Sequence, residues 1–240
     1  MTILCIDTAT DDGTVAVARD DRPIASVRWH SAGRHGENLF SHIETALSES
    51  GASREEISLI GVVIGPGKFT SLRVGLGTAK GLAFGLGLPI VGVSSLRVLA
   101  RSTVGDPGAI RVPVMNAYRG DVFSAAYIID ESGVMELVPP LFGPPLRVFG
   151  QLREAVGGRP VLVAGQGLRT HAALIEASLD VKQDGAQMSG QVSTADAIVE
   201  EVKHVMRTTG PADLDSLEPQ YLRPSDAQLP KPSSSTERVR

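Results

Sequence analysis

Cysteine is almost missing from this chain. Cys5 stands alone, inside an apolar run, so there is no disulfide framework and a reducing compartment fits. A basic surplus is missing too. Lysine and arginine number 23 against 27 acids, a net charge of −4, which offers nucleic acid no global field; any RNA contact is local or made by a partner. Long apolar runs are also lacking. Leu82–Val93, interrupted by Pro89, falls well short of the roughly 20 residues that span a bilayer. The start, Met1–Asp7, has no basic stretch and reaches an acid too early for a secretory signal. Together these absences predict a cytoplasmic protein with no membrane contact.

Catalytic apparatus is equally scarce. The histidines, His30, His35, His42, His171 and His204, include no pair four apart and no HExxH, so metal ligation has little support. Ser94 and Ser95 lie outside a G-x-S-x-G elbow, and Cys5 has no histidine near it in sequence. No set of nucleophile, base and orienter is visible, which weighs against a self-sufficient hydrolase.

What is present is an α/β pattern. The 240 residues are 42% hydrophobic and 21% charged, ordinary for a globular protein with a real core. Thr2–Ile6, Thr14–Ala18 and Pro23–Trp29, joined by short polar turns, read as an antiparallel meander. Leu39, Phe40, Ile43, Ala46 and Leu47 give Glu37–Glu49 helical spacing. Gly51 suits its C-cap, and Ser53-x-x-Glu56 reads as a capping box. Leu59–Ile64 is a strand, Ser71–Leu86 a helix closed by Gly87 and Pro89, and Pro89–Val93 a further strand. Ser94 or Ser95 then caps a helix through Ala100. Arg111–Val114 and Val122–Ile129 begin a second lobe, followed by helix Leu146–Val156, strand Val161–Ala164 and helices Thr170–Ser178 and Thr194–Arg207. Residues 1–100 form one lobe and 101–223 another. The Pro/Ser-rich stretch 224–240 carries no apolar period and reads as a disordered tail.

Three constellations bear on chemistry. Asp7-Thr-Ala-Thr10 puts an acid and hydroxyls at a strand end, where they either coordinate a metal-phosphate or orient water, or simply cap the turn. Gly65-Pro-Gly-Lys68 follows a strand and opens a helix. It reads as a phosphate cradle at a helix N-terminus or as a rigid corner, and the absence of the G-x-x-x-x-G-K-[ST] spacing favours the corner. Gly75, Gly77, Gly81 and Gly85 lie in the helix interior, where each costs about 1 kcal/mol against alanine. Close approach of another backbone offsets that, as in small-xxx-small packing. Packing on its own sheet is the favoured source, a partner helix the sharper one, and Glu37–Glu49 is the better candidate for a shared interface.

Several segments in order along the chain resemble the TsaB (YeaZ-like) family. They are Ile3-x-x-Ile-Asp-Thr-Ala-Thr10, His35 before an amphipathic helix, Gly65-Pro-Gly-Lys-Phe-Thr-Ser-Leu-Arg-Val-Gly75, Ala79-Lys-Gly-Leu-Ala83 and Pro89–Leu96. Asn116-Ala-Tyr-Arg-Gly-Asp-Val-Phe123 and Glu218-Pro-Gln-Tyr-Leu-Arg223 complete the series. The resemblance implies an actin-like, sugar-kinase/Hsp70-type (ASKHA) fold of two ribonuclease H-like α/β lobes. It implies a non-catalytic subunit that binds and activates the TsaD paralogue in making threonylcarbamoyladenosine beside the tRNA anticodon. The ATPase TsaE joins the pair, tRNA is met indirectly, and the subunit forms a homodimer when alone. No cofactor is bound intrinsically; ATP or ADP lies near the partner interface. Candidate partner-binding residues are His35, Leu39, Phe40, Ile43, Leu47, Leu72 and Leu76. Candidate nucleotide- or phosphate-proximal residues are Asp7, Thr8, Thr10, Gly65, Gly67, Lys68 and Arg73. The sequence departs from the family pattern at Lys68, where Ser is usual, at Ser71, where Gly is usual, and at Asn116, where Asp is usual. The last removes a carboxylate that magnesium-phosphate chemistry needs. A small-molecule kinase or ATPase of the same fold is the alternative activity, and an M22-like peptidase a more distant one.

Overall fold

The computed structural model describes residues 1–20, 22–31, 34–106, 108–130, 133–181 and 194–222. The expected disordered tail, residues 224–240, lies outside the described residues.

The polar turns produce the meander that the sequence predicts. β1 (Thr2–Asp7), β2 (Asp12–Arg19) and β3 (Arg22–His30) pair antiparallel. β4 (Ile57–Gly65) and β5 (Ile90–Ser94) extend the sheet in parallel, giving the order β3-β2-β1-β4-β5. β1 and β4 are buried along nearly their whole length, which is why they read as continuous apolar runs rather than alternating ones. α1 (Leu39–Ser50) and α2 (Phe69–Leu86) cover one face. Gly51 and Gly87 end them in the left-handed conformation, at φ 65° and 66°. The Ser53–Glu56 capping box is present, on a short 3-10 turn that leads into β4.

The second sheet has the order β8-β7-β6-β9. β6 (Ile110–Asn116), β7 (Val122–Asp130) and β8 (Gly133–Gly143) are antiparallel neighbours, and β9 (Val161–Ala164) runs parallel to β6. β8 is not anticipated from its sequence, because Pro139 and Pro140 interrupt the strand pattern. Its edge position tolerates them, since an edge strand needs ladder donors on one side only. α4 (Pro145–Val156) and α5 (Gly167–Ser178) cover one face of this sheet. The two sheets with their helices form the two α/β lobes that the sequence predicts.

Two helices join the lobes. α3 (Ser95–Arg101) turns Val98 toward the first sheet and Leu96, Leu99 and Ala100 toward Met115, Phe123 and Tyr127 of the second. Ser94 makes no capping bond, while the Ser95 hydroxyl donates to Pro66 O at 2.5 Å. α6 (Ala195–Thr208) follows the second lobe in sequence yet packs on the first sheet, where Ile198, Val199 and Val202 meet Ile3, Cys5 and Leu59. Its Glu201, fully buried, bonds Arg101 Nε at 2.6 Å. It also lies 2.6 Å from Arg97 Nε, a charge contact without hydrogen-bond alignment. The chain then runs back along the first lobe. The Ala212 N–H donates to Ile90 O on the β5 edge at 2.8 Å, and the Gln220 N–H to Ile64 O at 2.7 Å. Among the described residues no helix is long and apolar enough to cross a membrane.

Candidate functional site

The ends of β1 and β4 bring the turn from Asp7 and the corner from Gly65 against each other. The Lys68 N–H donates to Ala9 O at 2.9 Å, and the Thr8 hydroxyl to Ser71 O at 2.7 Å. The Lys68 ammonium pairs with the Asp11 carboxylate. Glycine is required at the seam by proximity. A Cβ on Gly67 would stand 2.4 Å from Ala9 O, and one on Gly75 2.3 Å from Thr8 Oγ1. Gly65 adopts φ 126° with the Gln220 carbonyl beside it. Asp7 is buried, and its Oδ1 accepts the Ala9 N–H at 2.8 Å. The corner thus directs the Lys68 N–H and the Lys68 ammonium at the neighbouring turn. This geometry fits the rigid-corner reading of Gly65–Lys68.

The same turn is gripped from the other side. His35, 1% exposed, places Nε2 2.7 Å from Thr10 O. A carbonyl only accepts, so Nε2 carries the proton. The Thr10 hydroxyl bonds its own turn at Asp12, and Asp12 in turn meets His30 Nδ1 at 2.9 Å. Trp29 lies over Gly13 and stacks on His42 with ring centres 4.3 Å apart. Burial, and then the charge of nearby His35, lowers the His42 pKa. On the second lobe, Asn116 ends β6 and its amide donates to the Thr170 hydroxyl at 3.1 Å. Among the described residues, no three His, Cys, Asp or Glu side chains converge to hold a metal.

The structure sorts the predicted partner-binding residues. His35, Leu39, Ile43, Leu47, Leu72 and Leu76 are all buried in their own lobe, and of the seven only Phe40, 60% exposed, faces outward. The physical reason is that helical periodicity marks the stripe a helix turns to its own sheet, so selecting the periodic apolar residues selects the core. The glycine row also departs from the favoured expectation. Gly75 does pack inward against Thr8, but a Cβ on Gly77, Gly81 or Gly85 would meet nothing within 4 Å. These three lie on the outer face of α2, near the exposed side chains of Phe69, Phe84 and Leu86. Arg73 is exposed on that face too. It engages Phe69 and Tyr221 rather than the Asp7 turn. Sequence reasoning missed Phe69, Phe84 and Tyr221. The signal available for Phe69 was its register, eight residues before Gly77 and four before Arg73.

Comparison with known proteins agrees with these features. Residues 30–231 match the family model described as TsaD: tRNA N6-adenosine threonylcarbamoyltransferase. The chain is 30% identical over 228 residues to the tRNA threonylcarbamoyladenosine biosynthesis protein TsaB of Bacillus subtilis (strain 168), covering 95% of this chain and 96% of that protein. It is 37% identical over 135 residues to the protein of the same name from Escherichia coli (strain K12), covering 56% of this chain and 58% of that one. A crystal structure of a Pseudomonas aeruginosa protein with similarity to peptidase YEAZ superimposes with a TM-score of 0.78 at 23% identity, over 92% of this chain and 99% of that one. The seam of Asp7–Thr10 against Gly65–Gly75, and the match across nearly the whole chain, lead to one assignment: the chain belongs to the TsaB (YeaZ-like) family of tRNA threonylcarbamoyladenosine biosynthesis proteins.

Proposed function

We propose that this chain is a non-catalytic subunit. It binds a TsaD-type transferase and activates it in transferring a threonylcarbamoyl group to the tRNA adenosine beside the anticodon. The observation that carries this reading is the outer face of α2. Gly77, Gly81 and Gly85 are bare, with Phe84 80% exposed and Leu86 43% exposed close by. Three exposed helix-interior glycines cost about 3 kcal/mol against alanine, and no contact among the described residues accounts for them. A second helix lying close along the row would. Phe40 on α1 is a further exposed apolar side chain. The same face serves two copies of this chain when the partner is absent, a TsaE-type ATPase joins the pair, and ATP or ADP sits near the shared boundary. The protein works in the cytoplasm and meets tRNA through its partner.

The chemistry of the lobes favours partnership over independent catalysis. Asp7 is committed to the Ala9 N–H, Lys68 to Asp11, and the second lobe presents an amide at Asn116. The decisive experiment is tRNA modification reconstituted from purified TsaD-type and TsaE-type partners with and without this chain. Modification should require the chain, which alone should turn over no ATP. Modification of equal rate without it would overturn the reading. ATP turnover by the chain alone, abolished by Asp7→Ala, would establish the kinase or ATPase reading instead.

A further inference from the structure

Phe69, Arg73, Gly77, Gly81 and Gly85 follow one another at intervals of four, so they form a single ridge along α2. Four-residue ridges are what neighbouring helices interlock with. The three glycines leave one part of the ridge bare. The N-terminal part is built differently. The Arg73 guanidinium carbon lies 4.0 Å from the centre of the Phe69 ring. Arg73 Nε donates to the Tyr221 hydroxyl at 2.9 Å, and Tyr221 stacks on Phe69 with ring centres 5.0 Å apart and planes 27° from parallel.

Tyr221 is in turn fixed at both neighbours. The Gln220 N–H bonds Ile64 O at the end of β4, and Leu222 packs on the cluster that joins α3 to the second sheet. The Pro219-Gln-Tyr-Leu222 motif therefore works as a strap. It crosses the Gly65 corner and holds one arginine in a set orientation on the outer ridge. Arg73 gives only its Nε to this arrangement and pairs with no carboxylate among the described residues. Its two terminal nitrogens make no hydrogen bond or ion pair among the described residues, and the stack already restricts their rotamer freedom.

We propose that Arg73, oriented by Tyr221, is the specificity-determining cation of the docking ridge. Its occupant is a helix of the TsaD-type partner whose acidic side chain meets the guanidinium while its backbone lies along Gly77, Gly81 and Gly85. This rests on the docking reading given under Proposed function. Charge complementarity names the acid. A phosphate backbone is met by several cations, whereas this ridge presents a single one, bordered by phenylalanine and followed by glycine. A fork-shaped guanidinium suits a carboxylate in particular, through paired parallel hydrogen bonds. Pre-ordering the arginine lowers the entropy lost on docking.

The test measures affinity of the full chain for the purified TsaD-type partner by calorimetry at low and high salt, for Arg73→Ala, Arg73→Lys, Tyr221→Phe and Gly81→Leu. Thermal unfolding of each variant serves as the folding control. Arg73→Ala should weaken binding about tenfold or more, the scale of a hydrogen-bonded charge contact, and should flatten the salt dependence. Arg73→Lys should recover little of the loss, because lysine lacks the fork. Tyr221→Phe keeps the stack and removes the hydroxyl, and should weaken binding by about two- to tenfold through the freed arginine. Unchanged binding by Arg73→Ala, with Gly81→Leu abolishing it, would overturn this inference and leave the docking reading standing. Unchanged binding by Gly81→Leu would overturn the docking reading itself. Loss of self-association in Arg73→Ala without loss of partner affinity would also contradict the proposal, since it would make a second copy the occupant.

Discussion

The two faces of α2 use the same residue types for opposite reasons. On the inner face Leu72, Gly75, Leu76, Ala79 and Ala83 are buried, and Gly75 is small because Thr8 Oγ1 occupies the place of its Cβ. On the outer face Gly77, Gly81 and Gly85 border open space. Inside, glycine is the consequence of a contact already made within the chain. Outside, no contact among the described residues offsets its helix penalty. A small residue in a helix therefore has meaning only when the direction it faces is known. Here the outward glycines are the basis of the proposed docking face, and the inward one answers to the turn at Thr8.

This contrast is open to direct attack. Gly75→Ala should destabilise the chain by about 1–3 kcal/mol, the usual cost of overpacking, measured by denaturant unfolding; a neutral result would mean that the seam at Thr8 yields freely. Gly81→Ala should do the reverse and stabilise by about 1 kcal/mol, raising Tm by about 2–4 °C for a chain of this size. Destabilisation there would show that the outer face is packed after all. A smaller effect concerns the cluster at α1. The His42 pKa lies below its ordinary 6.5 in the folded state, through burial first and His35 second. As pH falls below about 6.5 the unfolded chain takes up the proton first, so this contribution is complete above that value and is lost as pH falls through the lower folded pKa. His42→Asn should flatten the acid-side decline in stability, and an unchanged slope would refute the assignment. Least in magnitude, Cys5, whose thiol burial pushes to about 12, should stay unmodified by iodoacetamide at pH 8 until the protein unfolds. Ready labelling of the native chain would contradict its burial between the first sheet and α6.

Much of the fold was legible because alternation, helical period and turn residues are local signals. The meander, the Gly65 corner, the Gly51 and Gly87 caps and strand Val161–Ala164 all follow from short stretches read alone. β8 was hidden because prolines that an edge position tolerates look like strand breakers in sequence. α6 was read correctly as a helix but placed in the second lobe with the rest of 101–223, whereas it packs on the first sheet, since an apolar stripe does not say which surface it meets. The candidate site was legible in part. The Asp7–Thr10 and Gly65–Gly75 segments do meet, as the motifs imply. Of the partner-binding candidates only Phe40 is exposed and the others are buried in their own lobe, because amphipathic spacing identifies the buried stripe. The Arg73–Tyr221 contact spans 148 positions, and no local pattern reports it.

The most direct measurement is calorimetric binding of the Gly77→Leu/Gly81→Leu double variant to the TsaD-type partner. Neither added Cβ meets an atom within 4 Å, and leucine favours helix more than glycine does. The account predicts a folded protein with an equal or higher Tm that binds the partner at least about a hundredfold more weakly, a scale typical of a disrupted interface centre, and no longer supports tRNA modification. A double variant that binds and activates like the parent would contradict it.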